Sequence, residues 1–315
     1  MTPRDRAVAA FELRQPDDIV PTFELQFQLS EELLGKKHVK QPDLDAATPA
    51  ERDRLLDQEA ELHILEAERL DYSIISVSFG PHSLDDLVET VRRVCRLAGD
   101  KYLVGTLIDG TMSIPSGQTM MPLTIKIAEE PDELKAELDR NVDAAIDIAR
   151  KLADAGAEVA LMCADYCFND GPFLSPAMFR EFVAPYLTRQ VAELKKLGFY
   201  TVKHTDGNIM PILDQLVESG AHALHSIDPQ AGVDLGEVKR LVGGRIALCG
   251  NVRCDLLQTG TVEDTIVDSE RSLRDGMPGG GFFFCTSNTP FIGMPLANYL
   301  ALLDVRKRKG RYDLI

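Results

Sequence analysis

The chain has 315 residues, 44% of them hydrophobic and 27% charged, and a formal net charge of −16. That is too apolar for a disordered chain, and the acidic excess repels phosphate backbones, which argues against a nucleic-acid partner. No apolar run is long enough to span a bilayer, and the opening residues are charged throughout with no apolar leader core, so a cytoplasmic protein without membrane contact is expected.

Along the chain, apolar runs rich in β-branched and aromatic residues alternate with amphipathic helix signals. A first strand is expected at residues 19–23. Thr48-Pro49-Ala50-Glu51 then reads as an N-cap, a Pro at the first helical position and a capping-box Glu, opening a charged helix to about Leu70. Strands follow at 72–77 and 102–108. Glu130-Pro131 opens a helix whose apolar positions Leu134, Leu138, Val142, Ala145 and Ile146 recur at helical spacing, stopping near Gly156. After a strand at 158–162, Ser175-Pro176 caps a helix that Gly198 closes. Strands at 200–203, 223–226, 245–249 and 282–285 are separated by helices ending at Gly220, at Gly243-Gly244 and before the 276–281 glycine run. A last helix covers about 295–309. Near-continuous apolar strands suit a parallel sheet covered by helices. Eight strand–helix units predict a (β/α)₈ barrel, with a doubly wound open sheet as the rival. No linker or composition shift divides the chain, so residues 1–315 are expected to form a single domain.

Polar and ionisable residues follow nearly every strand, where the chemistry of a barrel collects. They are Glu24 and Gln26, Asp109, Asp165 and Tyr166, His204 through Asn208, Ser226 and Asp228, Asn251 and Arg253, and Cys285 and Asn288. Each has a structural reading as well: Asp228-Pro229 as a turn, Asp165 as a cap, a lone His204 as a packed, hydrogen-bonded residue. The neighbour two positions on sharpens the His204 reading. If the strand continues, His204 and Asp206 point to the same side, and an imidazole and a carboxylate so placed make an acid/base pair or two ligands of a divalent metal.

The 6 cysteines are unevenly spaced and form no disulfide framework. Cys163 and Cys167 flank Asp165 without a matching second pair, and Cys285, ending the last strand, has the best claim to a site role. Gly279-Gly280-Gly281 precedes a strand and reads as a tight turn, not a phosphate loop. The basic run Arg306-Lys307-Arg308-Lys309 reads as a solvated helix end.

In combination, several segments resemble the uroporphyrinogen decarboxylase superfamily over nearly the whole chain. They include residues 2–6 with 16–21, Leu174 to Phe179 with Phe182 to Tyr186, Ile246 to Val252, Pro278 to Phe282, and Met294 to Asn298. The resemblance implies a (β/α)₈ barrel. The superfamily holds both the haem-pathway decarboxylase and corrinoid-dependent methyltransferases. The decarboxylase carries an Arg-Gln-Ala-Gly-Arg segment after its first strand, whereas this chain has Thr22 to Gln28 with Glu24 in place of arginine; the decarboxylase Gly-His-Gly histidine falls at Asn288. The thiol-methylating enzymes bind zinc through His-x-Cys and a second Cys. Here those positions read His204-Thr205-Asp206 and, again, Asn288, with Cys285 three residues away.

The chain looks most like a His-x-Asp-Gly-Asn subgroup of O- or N-demethylating methyltransferases. That resemblance implies an enzyme passing a methyl group from a small methylated substrate to a corrinoid protein, the corrinoid being supplied by that partner. It assigns catalysis to His204, Asp206 and Asp165, and substrate binding to Glu24, Tyr166, Ser226, Asp228, Asn251 and Asn288. Zinc held by His204, Asp206 and Cys285, and a homodimer, are compatible with it. The alternatives are a decarboxylase of porphyrin biosynthesis, with Arg92, Arg93 or Arg253 supplying a basic mouth, and a non-catalytic small-molecule-binding barrel.

Overall fold

The computed structural model describes residues 1–81 and 83–312. Seven parallel strands form one curled sheet in chain order. They are β1 (Ile74–Ser76), β2 (Leu103–Leu107), β3 (Val159–Met162), β4 (Tyr200–His204), β5 (Ala223–His225), β6 (Ala247–Val252) and β7 (Phe282–Thr286). Each neighbouring pair is in parallel register, including His204 against His225 on β4 and β5. Helices follow the strands and cover the outer face, giving an α/β (β/α)₈ barrel.

The eighth position corrects the expected first strand. Residues 19–25 run between β7 and β1 but form no regular ladder. Pro21 has no N–H to donate, so the segment pairs mainly through its carbonyls. Phe284 N–H donates to Pro21 O at 2.9 Å on the β7 side, and Ser73 N–H donates to Thr22 O at 2.7 Å beside β1. An extended segment thus closes the barrel with alternating carbonyls.

Two packed layers result. Ile74, Leu103, Val159, Leu161, Val202, Ala223, Ala247, Cys249, Phe283 and Cys285 fill the barrel interior. The alternate strand residues Ile75, Val104, Ala160, Leu224, Leu248 and Phe284 meet the helices. This period of two sets which residues face the mouth.

Local signals placed most helices. Thr48 caps the helix Pro49–Leu70 in a full capping box. Pro131–Asp154 buries the expected stripe of Leu134, Leu138, Val142, Ala145 and Ile146. Ser175 caps Pro176–Phe182, but the single helix expected there breaks at Val183 and resumes as Ala184–Lys196, with Pro185 in its first turn. Gly279, Gly280 and Gly281 all take positive φ, as a turn that side chains would strain. The helices Leu84–Ala98 and Gly117–Glu129 were not expected; the second buries no residue, so it lacks the amphipathic signal that marks a core-facing helix. Among the described residues no helix is long and apolar enough to cross a membrane.

The basic run at the last helix also needs correction. Arg306 is fully buried. Its guanidinium donates to Val20 O and to the Asp71 carboxylate, both at 2.8 Å, tying the final helix to the closing segment and to the residue that ends the helix Pro49–Leu70. Removing one partner of such a pair leaves the other without compensation, so Arg306→Ala should lower unfolding stability by about 3 kcal/mol. Urea denaturation measures this; a loss below about 0.5 kcal/mol, typical of a surface substitution, would contradict the anchoring role.

Candidate functional site

His204 ends β4 and Asp206 follows two residues later, both facing the barrel interior, while Asp165 lies in the loop after β3. Donor atoms of Asp165, His204 and Asp206 all lie within 4.8 Å of one another. His204 Nε2 is 3.7 Å from an Asp165 oxygen and 3.7 Å from an Asp206 oxygen. Those separations are too long for hydrogen bonds. On its other side, His204 Nδ1 lies 2.9 Å from His225 Nδ1, so one of the two rings carries the shared proton. The triad fits a divalent ion: one imidazole nitrogen and two carboxylates converge, and bonds of about 2.0–2.2 Å would bridge gaps that direct contacts leave open.

The loop is built to hold this geometry. Asp206 N–H donates to Asp165 Oδ1 at 3.0 Å, and Asn288 Nδ2 donates to Asp206 Oδ2 at 2.5 Å. Asp228 receives Gly207 N–H at 3.1 Å and Gln230 N–H at 2.9 Å. A side chain at Gly207 would collide with the Cys167 and Phe168 carbonyls, so the loop can approach its neighbour only with glycine there. Burial pushes Asp206 up to about 7, with Asp165 adding to the shift and Asn288 opposing it. Burial brings His204 down to about 4, against the pull of Asp165. Near neutrality the site therefore pairs a neutral imidazole with a carboxyl that exchanges its proton.

A cleft of about 350 Å³ adjoins the triad through Asn288 and is lined also by Gln26, Gln28, Gln230, Thr289 and Phe291. Its polar groups are amides, a hydroxyl and the Cys254 thiol. Arginines proposed from the sequence do not supply charge here. Arg93 is buried against Asp57 at 2.7 Å and Glu89 at 2.9 Å, with Asp53 as a further partner, and Arg92 pairs with Glu89. Arg253 pairs with Asp255 at 2.6 Å.

Comparison with known proteins sets this geometry in context. The model of the uroporphyrinogen decarboxylase (URO-D) family matches residues 73–309. The chain belongs to the URO-D family. Among curated relatives, uroporphyrinogen decarboxylase of Coxiella burnetii is 23% identical over 201 residues, 60% of this chain and 51% of that protein. The enzyme of the same name from Xylella fastidiosa is 33% identical over 157 residues, 48% of this chain and 41% of that protein. The chain thus spans about half the length of the curated relatives it matches. A methyltransferase from Methanosarcina mazei shares the fold, with a TM-score of 0.74 at 20% identity, covering 98% of this chain and 99% of that one.

Within the URO-D barrel, four residues expected at the site lie elsewhere. Cys285 points into the apolar interior with Cys249 and Phe283, is fully buried, and is not part of the triad; burial raises its thiol pKa well above the ordinary value. Asn251 is fully buried and occupied by Arg271, which donates to its Oδ1, while its own amide donates to Ile227 O. Tyr166 turns away: its hydroxyl lies 2.6 Å from Thr111 Oγ1 and its ring lies under Lys203 Nζ at 4.1 Å. Glu24 is buried against Thr286, whose hydroxyl donates at 2.5 Å, and Tyr299; burial pushes its carboxyl up to about 8. Ser226 and Asn288 adjoin Asp206, and Asp228 holds the loop behind it.

Sequence reasoning missed Lys203 and His225. Lys203 is fully buried and bonds Asp109 at 2.9 Å and Ala164 O at 2.8 Å, bracing the loop that carries Asp165. A lysine inside an apolar strand was the available signal. His225 gave none, since a single histidine at a strand end has no partner until the sheet register supplies His204.

In chelator-treated protein Asp206 should lose its proton near pH 7. Folding favours its neutral form, so its contribution to stability is complete below about pH 4 and is lost as pH rises through about 7. Asp206→Asn should flatten that part of the stability profile in urea denaturation. Asn288→Ala, which removes a donor to the charged form, should move the Asp206 titration upward by carboxyl NMR; a downward move would contradict the assignment.

Proposed function

We propose that this URO-D family chain is a methyltransferase that moves a methyl group from a small O- or N-methylated substrate to a corrinoid carried by a separate protein. The observation carrying this reading is the Asp165–His204–Asp206 triad beside a cleft lined by amides. Such a site suits a neutral substrate with one departing heteroatom. A porphyrinogen with many carboxylates needs compensating cations, and Arg92, Arg93 and Arg253 are engaged by acidic neighbours.

In this reading the amides of Gln26, Gln28 and Gln230 orient the substrate in the cleft. Asp206 stands to give its proton to the departing oxygen or nitrogen. The electrons of the broken carbon–heteroatom bond stay on that heteroatom, and the methyl group leaves toward the acceptor. Asp165 fixes the loop by accepting Asp206 N–H, and Asn288 keeps the Asp206 carboxyl facing the cleft. His204, neutral and held at Nδ1 by His225, keeps Nε2 toward the two carboxylates. A divalent ion such as zinc, held by His204, Asp165 and the ionised Asp206 carboxylate, would take the place of that proton and supply Lewis-acid stabilisation of the leaving group.

The test is methyl transfer from aryl methyl ethers and methylamines to cob(I)alamin, free or on a corrinoid protein. His204→Ala should cut kcat/KM by about 10²–10³-fold without changing the circular dichroism spectrum. Normal methyl transfer by that variant, or decarboxylation of uroporphyrinogen by the unmodified chain, would overturn the reading.

A further inference from the structure

A second group of buried donors lies apart from the triad. The helix Pro49–Leu70 presents Glu59, His63 and Glu66 on one face, at the i, i+4 and i+7 spacing of helical neighbours. The loop carrying His38 packs onto that face. Donor atoms of His38, Glu59 and His63 all lie within 4.8 Å of one another. His38 Nδ1 is 2.7 Å from Glu59 Oε1, and His38 Nε2 is 3.0 Å from Glu66 Oε1. All four residues precede the stretch matched by the URO-D family model, so the motifs shared by that family do not account for them.

Two features point to a ligand rather than a closed hydrogen-bond network. His63 is only 3% exposed, yet its Nε2 has no hydrogen-bond partner. It lies 3.2 Å from Glu59 Oε1, and a buried ring nitrogen left unsatisfied there is costly. The loop after β1 also meets Glu59 without a side chain: residue 80 is glycine at φ +123°, and a Cβ there would collide with Glu59 Oε1. Glu59 and Glu66 are buried, and the ion pairs found for them are with the two histidines alone.

We infer that His38, Glu59 and His63 form a second divalent-metal site, with Glu66 beside it, distinct from the barrel-mouth triad. Two imidazoles and one carboxylate are a donor set that takes zinc or another late first-row ion. His38 and Gly80 line a cleft of about 400 Å³ together with Gln28, Lys36, Lys40 and Phe79, while Glu59 and His63 lie buried behind it, so an ion would reach them past the His38 ring. Val39 N–H donates to Glu59 Oε2 at 2.7 Å, which orients the carboxylate and leaves Oε1 toward the histidines.

The test keeps the full chain and disables the other candidate site. A His204→Ala/Asp206→Asn variant, stripped with chelator and dialysed against zinc, should retain about one zinc per chain by elemental analysis. Cobalt substitution should give visible d–d absorption in the same variant. Adding His63→Ala should remove the bound metal and the absorption. His63→Gln and Glu59→Gln, closer in size, should do the same, and they decide the matter if the alanine variant fails to fold. Absence of zinc in the double variant, or its retention after the Glu59 and His63 changes, would overturn the inference. Either result leaves the reading of the barrel mouth untouched.

Discussion

Closure of the barrel rests on two consecutive carbonyls. Pro21 O and Thr22 O take hydrogen bonds from β7 and from the residue before β1, and without them the seven-stranded sheet would have two open edges. The same segment continues into Glu24, Gln26 and Gln28. Glu24 turns toward the helix layer to meet Thr286 and Tyr299, whereas Gln26 and Gln28 reach the mouth. Arg306 holds the segment from outside through Val20 O. Closure and the composition of the cleft are therefore consequences of one stretch of backbone.

Buried charge organises the opposite side. Lys203 lies on β4 next to His204 but points outward, since strand neighbours alternate. It meets Asp109, Ala164 O and the Tyr166 ring, and its charge holds the Asp109 carboxyl below the ordinary carboxylate range even though burial alone would raise it. Asp109 in turn accepts Ala164 N–H at 2.8 Å. The loop between β3 and the hairpin at Cys167–Phe168 is thus fixed from below, and Asp165 is delivered to His204 on a braced backbone. Such pairs contribute less to net stability than to uniqueness of geometry, because desolvation offsets much of their attraction.

The cysteines show how burial redirects a chemical reading. Cys163, Cys167 and Cys285 each have thiols that burial raises, Cys163 and Cys167 to about 12. A thiol so placed remains protonated and is a poor nucleophile or metal ligand. The donors that do converge are imidazoles and carboxylates, at the barrel mouth and again beneath the His38 loop. The second group was not legible in the sequence. Glu59, His63 and Glu66 look like surface positions of a charged helix until the loop at 30–40 covers them.

Local sequence determined the seven β-strands, the capped helices at Thr48 and Ser175, and the placement of His204 and Asp206 on one side of their strand, because alternation and capping depend only on neighbours a few residues away. It also carried the family motifs at residues 174–186 and 246–252. Only the tertiary structure decided which strand-end residues meet. Asn251 and Tyr166 stand at strand ends as Asn288 does, yet Arg271 and Lys203 draw the first two away while Asn288 reaches Asp206. Those partners lie 20 or more residues distant in the chain, and their competition for the same polar groups is settled by packing, which no local pattern encodes.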